Sequence, residues 1–198
     1  MHNIGLYPIV DSPEWLEKLL PLGVSTIQLR IKNQLPAVIE RCIIDSINIA
    51  RRFEARLFIN DYWQLAIQHG AYGVHLGQED LHQTSKEALT TSGLQLGIST
   101  HNDTEIERAL AWNPNYIAYG PIYPTQTKVM PFTPRGLLRL AYWVENLDCP
   151  IVAIGGINLA RLPDVLATGV DGVAMISAIT QVADPVVMTE RLLAVFHE

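Results

Sequence analysis

The chain has 198 residues, of which 48% are apolar, 17% charged and 8% aromatic, and 14 basic against 20 acidic residues give a net charge of −6. That length fits one domain with a sizeable core and excludes a disordered chain, and no apolar run approaches the ~18 residues of a membrane span. The N-terminus has neither the basic region nor the long apolar core of a signal peptide, and the acidic balance argues against a general nucleic-acid binder without excluding a local anion site.

Short apolar runs recur at residues 6–10, 26–29, 57–59, 73–76, 96–99, 116–119, 151–154 and 172–175, each followed by a helix-like segment. The first strand begins almost at Met1, so an N-terminal extension ahead of it is not expected. Helix starts are marked by Asp11-Ser12-Pro13, by Asn102 with Glu105 three residues later, and by Asp184-Pro185. The strands are mostly apolar runs rather than strict alternations, as expected where both faces of a sheet are covered. Residues 22–29, 69–76 and 168–175 resemble one another, each placing a glycine (Gly23, Gly70, Gly169) where a helix should stop about three residues before a strand. The expected unit is strand, helix, glycine stop and next strand, eight times over.

Eight βα units of about 25 residues predict an α/β fold, a compact TIM (β/α)8 barrel formed by one domain spanning residues 1–198. A doubly wound open sheet is the alternative, but its G-x-G-x-x-G after the first strand is missing. Cys42 and Cys149 have no metal or redox spacing and read as reduced, buried small hydrophobes of a cytoplasmic protein.

In a barrel of this kind the chemistry lies past the C-terminal ends of the strands. After the second strand, a period of two puts Gln28, Arg30 and Lys32 on one side and Leu29 and Ile31 on the other. Packing does not account for such a cationic ladder. It reads as an anion clamp, with a solvated strand exit as the alternative. Asn60-Asp61 follows the third strand and Gly77-Gln78-Glu79-Asp80 the fourth. Asp61 and Asp80 fit a Mg²⁺ site completed by substrate phosphates and water, and they equally fit helix caps; spacing leaves the two readings level.

Residues 120–134 form the longest irregular stretch, which reads as a lid or binding loop in which Thr125, Thr127 and Lys128 could wrap a phosphate. The alternative is a proline-rich turn. Gly155-Gly156 ends the seventh strand and Ile176-Ser177-Ala178 the eighth, where barrels often hold phosphate on backbone N–H groups. Two separate anion sites are therefore expected. His75, in mid-strand, and His101, near a helix start, read as hydrogen-bonded structural residues, and Trp15, Trp63, Trp112 and Trp143 as helix residues packed on the barrel.

With these motifs in place, the chain resembles the thiamine-phosphate synthase family over nearly its whole length. The signatures fall in order: residues 28–32, Ile59-Asn60-Asp61, residues 75–80, residues 97–101, residues 120–128, Ile154-Gly155-Gly156-Ile157 and Ile176-Ser177-Ala178. The resemblance implies a TIM-barrel transferase of thiamine biosynthesis. Such an enzyme joins 4-amino-2-methyl-5-hydroxymethylpyrimidine diphosphate to a thiazole phosphate and releases pyrophosphate, with CO₂ also lost from a carboxylated thiazole. It further implies that Gln28, Arg30, Lys32 and Asn60 hold the pyrimidine diphosphate, that Asp61 and Asp80 bind Mg²⁺, and that Ser99 contacts the pyrimidine. Lys128 would contact the departing pyrophosphate, and Thr125, Thr127, Gly156, Ile176 and Ser177 would hold the thiazole phosphate. Arg30, Lys128 and Ser99 would be the catalytic residues of a dissociative reaction. The expected partners are these small molecules, with neither nucleic acid nor membrane, and a homo-oligomer is left open. Two rivals are a related thiazole tautomerase, which would not need the ladder together with two metal carboxylates, and a silent binding module for thiamine precursors.

Overall fold

The eight apolar runs become eight strands, each within two residues of the predicted bounds. They are β1 (Gly5–Val10), β2 (Thr26–Leu29), β3 (Arg56–Asn60), β4 (Gly73–Leu76), β5 (Gln95–Thr100), β6 (Tyr116–Tyr119), β7 (Ile151–Ile154) and β8 (Gly172–Met175). In the computed structural model, which describes residues 4–125 and 133–196, all neighbours pair in parallel and β8 returns to β1 to close the barrel. Closure excludes the open doubly wound sheet and leaves no exposed sheet edge.

Between the strands lie α1 (Pro13–Leu19), α2 (Pro36–Arg52), α3 (Trp63–Gln68), α4 (Lys86–Ser92), α5 (Asp103–Leu110), α6 (Gly136–Asn146) and α7 (Leu162–Leu166). α8 (Ser177–Thr180) and α9 (Pro185–Val195) both follow β8. The sequence signals for helix starts are realised as geometry. Asn102 accepts the Glu105 N–H at 2.9 Å, and Asp184 accepts the Val186 and Val187 N–H groups at 3.0 and 3.1 Å. Helix α2 buries one stripe, Ile39, Ile43, Ile47 and Ala50, against the strands.

The glycine stop is less general than eight repeats would require. Gly23, Gly70 and Gly169 do take positive φ, but the left-handed residue after α2 is Glu54 (φ 53°) and the one after α5 is Asn113 (φ 52°). The cysteines differ as well: both are free, yet each is half-buried rather than buried.

The core divides into two layers. Outward-facing strand residues such as Leu29, Ile59, Val74 and Ile117 join the helices in one large aliphatic cluster, against which all four tryptophans pack. Inside the barrel a smaller cluster is built on Ile9, Phe58, Tyr7, Tyr116, Val152 and Ala174. The interior rings need glycines opposite them. A Cβ on Gly97 would lie 2.1 Å from Tyr116 Cζ, and one on Gly73 would lie 2.6 Å from the Phe58 ring. Those two strand glycines leave room for aromatic rings across the barrel.

Candidate active site

The period of two carries each strand from this interior to the C-terminal end of the barrel. On β2, Gln28 lies inside the barrel at 2% exposure and reaches Tyr7, while Leu29 and Ile31 join the outer cluster. Arg30 and Lys32 continue the inner series upward, half-buried and exposed respectively. On β3 the same alternation leads from Phe58 to Asn60, which is buried and pairs in register with His75 of β4. The ladder, Asn60 and the residues following β4 therefore share one end of the barrel. Arg30 carries no ion pair among the described residues, whereas Lys32 pairs with Asp61.

Asp61 stands at φ 64°, a left-handed conformation that costs a side-chain-bearing residue energy and is often kept where function requires it. Its N–H bonds the His75 carbonyl at 3.0 Å, tying the end of β3 to β4. Asp80 folds back and accepts the Gly77 N–H at 2.9 Å. Neither carboxylate caps a helix: the residue before α3 is Tyr62, the one before the turn at residues 80–83 is Glu79, and neither start has a side-chain cap. Burial, and next the Asp61 carboxylate beside it, hold the Asp80 carboxyl above the usual carboxylate range.

Two carboxylates sharing one place, with a lysine already on one of them, form a hard, anionic donor set. No group of three or more His, Cys, Asp or Glu side chains with metal-site geometry occurs among the described residues. Oxygen donors of this kind suit an ion such as Mg²⁺, which retains water and takes further oxygens from its ligand.

Ser99, on the inner face of β5, is half-buried, and its Oγ lies 2.8 Å from His75 Nε2. The Gln78 amide donates to the Ser99 carbonyl at 2.8 Å and accepts from Arg108 at 3.1 Å, which fixes the end of β5. His75 is hydrogen-bonded at both ring nitrogens, as a structural histidine should be, and burial pushes its pKa down to about 4, so it is neutral near pH 7. His101 is likewise structural, bonded to Glu105 at 2.7 Å. Sequence reasoning missed that His75 attaches Ser99 to two buried tyrosines, and it missed the clamp by Gln78. The run from His75 to Asp80 was itself the available signal.

Across the barrel, the groups expected to form the other anion site are chiefly backbone. Gly155 and Gly156 take φ of 100° and 66°, and a Cβ on Gly156 would come within 2.5 Å of the Pro124 carbonyl. Only glycine lets residues 121–124 lie this close to the end of β7. Ile176 precedes α8, and Ser177 opens it. The first N–H groups of a helix have no earlier turn to bond. Thr125 is half-buried next to this side. Thr127 and Lys128, with residues 126–132 of the expected lid, lie outside the described residues.

Comparison with known proteins identifies the family and agrees with the fold. A family model described as thiamine monophosphate synthase matches residues 6–179. A thiamine-phosphate synthase of Salmonella schwarzengrund is 59% identical over 192 residues, covering 96% of this chain and 91% of the relative. One from Escherichia coli is 57% identical over 194 residues, covering 98% and 92%. The solved thiamine phosphate pyrophosphorylase of Pyrococcus furiosus superposes with a TM-score of 0.86 at 32% identity, covering 98% of this chain and 96% of its own. No helix among the described residues is long and apolar enough to cross a membrane. The chain belongs to the thiamine-phosphate synthase family and is a transferase of thiamine biosynthesis.

Proposed function

We propose that the chain is a cytoplasmic thiamine-phosphate synthase that joins 4-amino-2-methyl-5-hydroxymethylpyrimidine diphosphate to a thiazole phosphate, or to its carboxylated form with loss of CO₂. The observation that carries this reading is the placement of Asp61 and Asp80 together at the ends of β3 and β4, beside Gln28, Arg30, Lys32 and Asn60. A diphosphate is the ligand such a set suits: its negative oxygens meet cationic side chains and, through a shared ion, carboxylates that would otherwise repel them.

Asp61 and Asp80 would hold Mg²⁺, which neutralises charge on a diphosphate without a proton transfer. Arg30 binds the diphosphate through its planar fork, Lys32 moves from Asp61 onto a phosphate oxygen, and Lys128 binds the departing pyrophosphate. Gln28, Asn60 and Ser99 orient the pyrimidine. Pyrophosphate leaves first, and the amino group of the ring spreads the positive charge left on the methylene carbon. The thiazole nitrogen then forms the new C–N bond, aligned by its phosphate on Gly156, Ile176, Ser177, Thr125 and Thr127. Charge stabilisation and alignment are the tasks left to the protein, which accounts for a site without an activated nucleophile.

The test is an assay of the purified chain with both phosphorylated precursors and Mg²⁺, read as thiamine phosphate and pyrophosphate in equal amounts. Tight binding of both precursors without product would return the chain to the silent binding module.

A further inference from the structure

Four side-chain hydrogen bonds run through the barrel interior from β2 to β5. Gln28 Nε2 lies 3.2 Å from Tyr7 Oη, Tyr7 Oη 2.8 Å from Tyr116 Oη, Tyr116 Oη 2.7 Å from His75 Nδ1, and His75 Nε2 2.8 Å from Ser99 Oγ. The three middle residues are buried, at 1%, 0% and 5% exposure. Water does not compete there, so each proton must go to a neighbour in the chain.

That requirement gives the chain a direction. An amide nitrogen only donates, so Tyr7 accepts from Gln28. The Tyr7 proton then goes to its other polar neighbour, Tyr116, and the Tyr116 proton goes to Nδ1 of His75. An imidazole that accepts at Nδ1 carries its proton on Nε2 and donates it to Ser99 Oγ. If Tyr116 instead donated to Tyr7, two donors would converge on one phenol oxygen and the Tyr7 proton would be left buried without an acceptor. A doubly protonated ring would leave the Tyr116 proton in the same position. In the satisfied arrangement, one lone pair of Ser99 is taken by His75 and the Ser99 proton points out of the chain.

We propose that Tyr7, Tyr116 and His75 are positioning residues that wire Gln28 to Ser99 in one direction, so that Ser99 donates to its ligand and the site selects an aminopyrimidine with an unprotonated ring nitrogen there. This rests on the reading that the pyrimidine sits at Ser99. It also assigns the contact of the Ser99 proton: that proton needs an acceptor, which is a ring nitrogen and not the exocyclic amino group, while the second Ser99 lone pair stays open to a donor. An unprotonated ring is the one whose amino group can release electrons to a cation on the methylene carbon. The wiring therefore refuses the form of the substrate least able to ionise.

The test has two arms on the full chain. In the first, ¹⁵N-histidine NMR of the ligand-free protein reads the tautomer of His75, assigned as the imidazole signal that responds to Tyr116→Phe. The expected result is the Nε2–H tautomer, becoming a mixture in Tyr116→Phe. An Nδ1–H tautomer in the wild type would mean that Gln28 presents its carbonyl and Ser99 is spent as the donor to His75, and would overturn the proposal. The second arm measures both substrates' constants in Tyr116→Phe and Tyr7→Phe, which keep the rings in place. A rise of roughly five- to thirtyfold in KM for the pyrimidine diphosphate is expected, with the thiazole phosphate KM unchanged. Equal changes for both substrates would mark the tyrosines as merely structural and sink the idea. Because the tautomer is read without substrate, its failure is distinguishable from a failure of the synthase assay.

Discussion

The two sides of the barrel mouth are built from different materials. At β2 to β5 the candidate groups are side chains: a guanidinium, an ammonium, two carboxylates, two amides and a hydroxyl, resting on a hydrogen-bonded polar floor. At β7 and β8 they are chiefly backbone, a glycine pair at positive φ and the first turn of a four-residue helix. The difference matches the proposed loads. A leaving diphosphate gains charge during the reaction and calls for strong, adjustable counter-charge. A phosphate that only anchors a nucleophile keeps a constant charge, and fixed N–H dipoles suffice. Removing a group that meets the diphosphate should therefore lower kcat, whatever it does to KM, whereas removing a group on the second side should raise KM alone.

The largest effect should come from the carboxylates. Asp61→Asn or Asp80→Asn should each lower the rate on the order of 10² to 10⁴, since on the proposed reading each would remove a ligand of the ion that neutralises the leaving group. The double variant should be little worse than the singles, because both serve one ion. Excess Mg²⁺ should partly rescue each single but not the pair, as a Mg²⁺ titration of all four proteins will show. Full activity in chelator would break the comparison at its strongest point.

Arg30→Ala comes next. Losing a charged hydrogen-bond donor costs ~2 kcal/mol, roughly thirtyfold in kcat/KM for the pyrimidine diphosphate, with kcat falling as well as KM rising. Arg30→Lys should recover only part of this, because an ammonium cannot reproduce the fork. Steady-state kinetics with each substrate varied in turn decide it. A change confined to the thiazole phosphate constant would put the ladder on the wrong side of the barrel.

Much of this was legible in the chain, for definable reasons. The strands could be read because both faces of each are covered, which turns them into short, mostly apolar runs, with Gln28 and His75 among the polar exceptions. The ladder could be read because positions 28, 30 and 32 share a face whatever the tertiary structure. The role of Tyr7 and Tyr116 could not, since a tyrosine within an apolar run looks like core until its hydroxyl is seen to have a partner across 109 residues of sequence. His75 was correctly expected to be hydrogen-bonded, but the identity of its partners depends on barrel closure. Helix α8 was not separated from α9 because four residues are too few to show a period. Glu54 and Asn113 hid two helix ends by holding left-handed positions without glycine.

The smallest effect, and the one that most sharpens the contrast, is expected at Ser177. Its hydroxyl is half-buried at the opening of α8, where the backbone N–H groups of the same turn are also available to a phosphate. Removing the hydroxyl in Ser177→Ala leaves those groups and the helix start in place. The loss should therefore be a single hydrogen bond, about 1 kcal/mol or roughly fivefold in KM for the thiazole phosphate. The constant for the pyrimidine diphosphate and kcat at saturation should not move, because this phosphate keeps its charge throughout the reaction. Varying each substrate against a fixed excess of the other separates the two constants. A drop in kcat comparable to that of Arg30→Ala would mean that the β7–β8 side also answers to charge that develops during the reaction, and the division of labour between side chains and backbone would not hold.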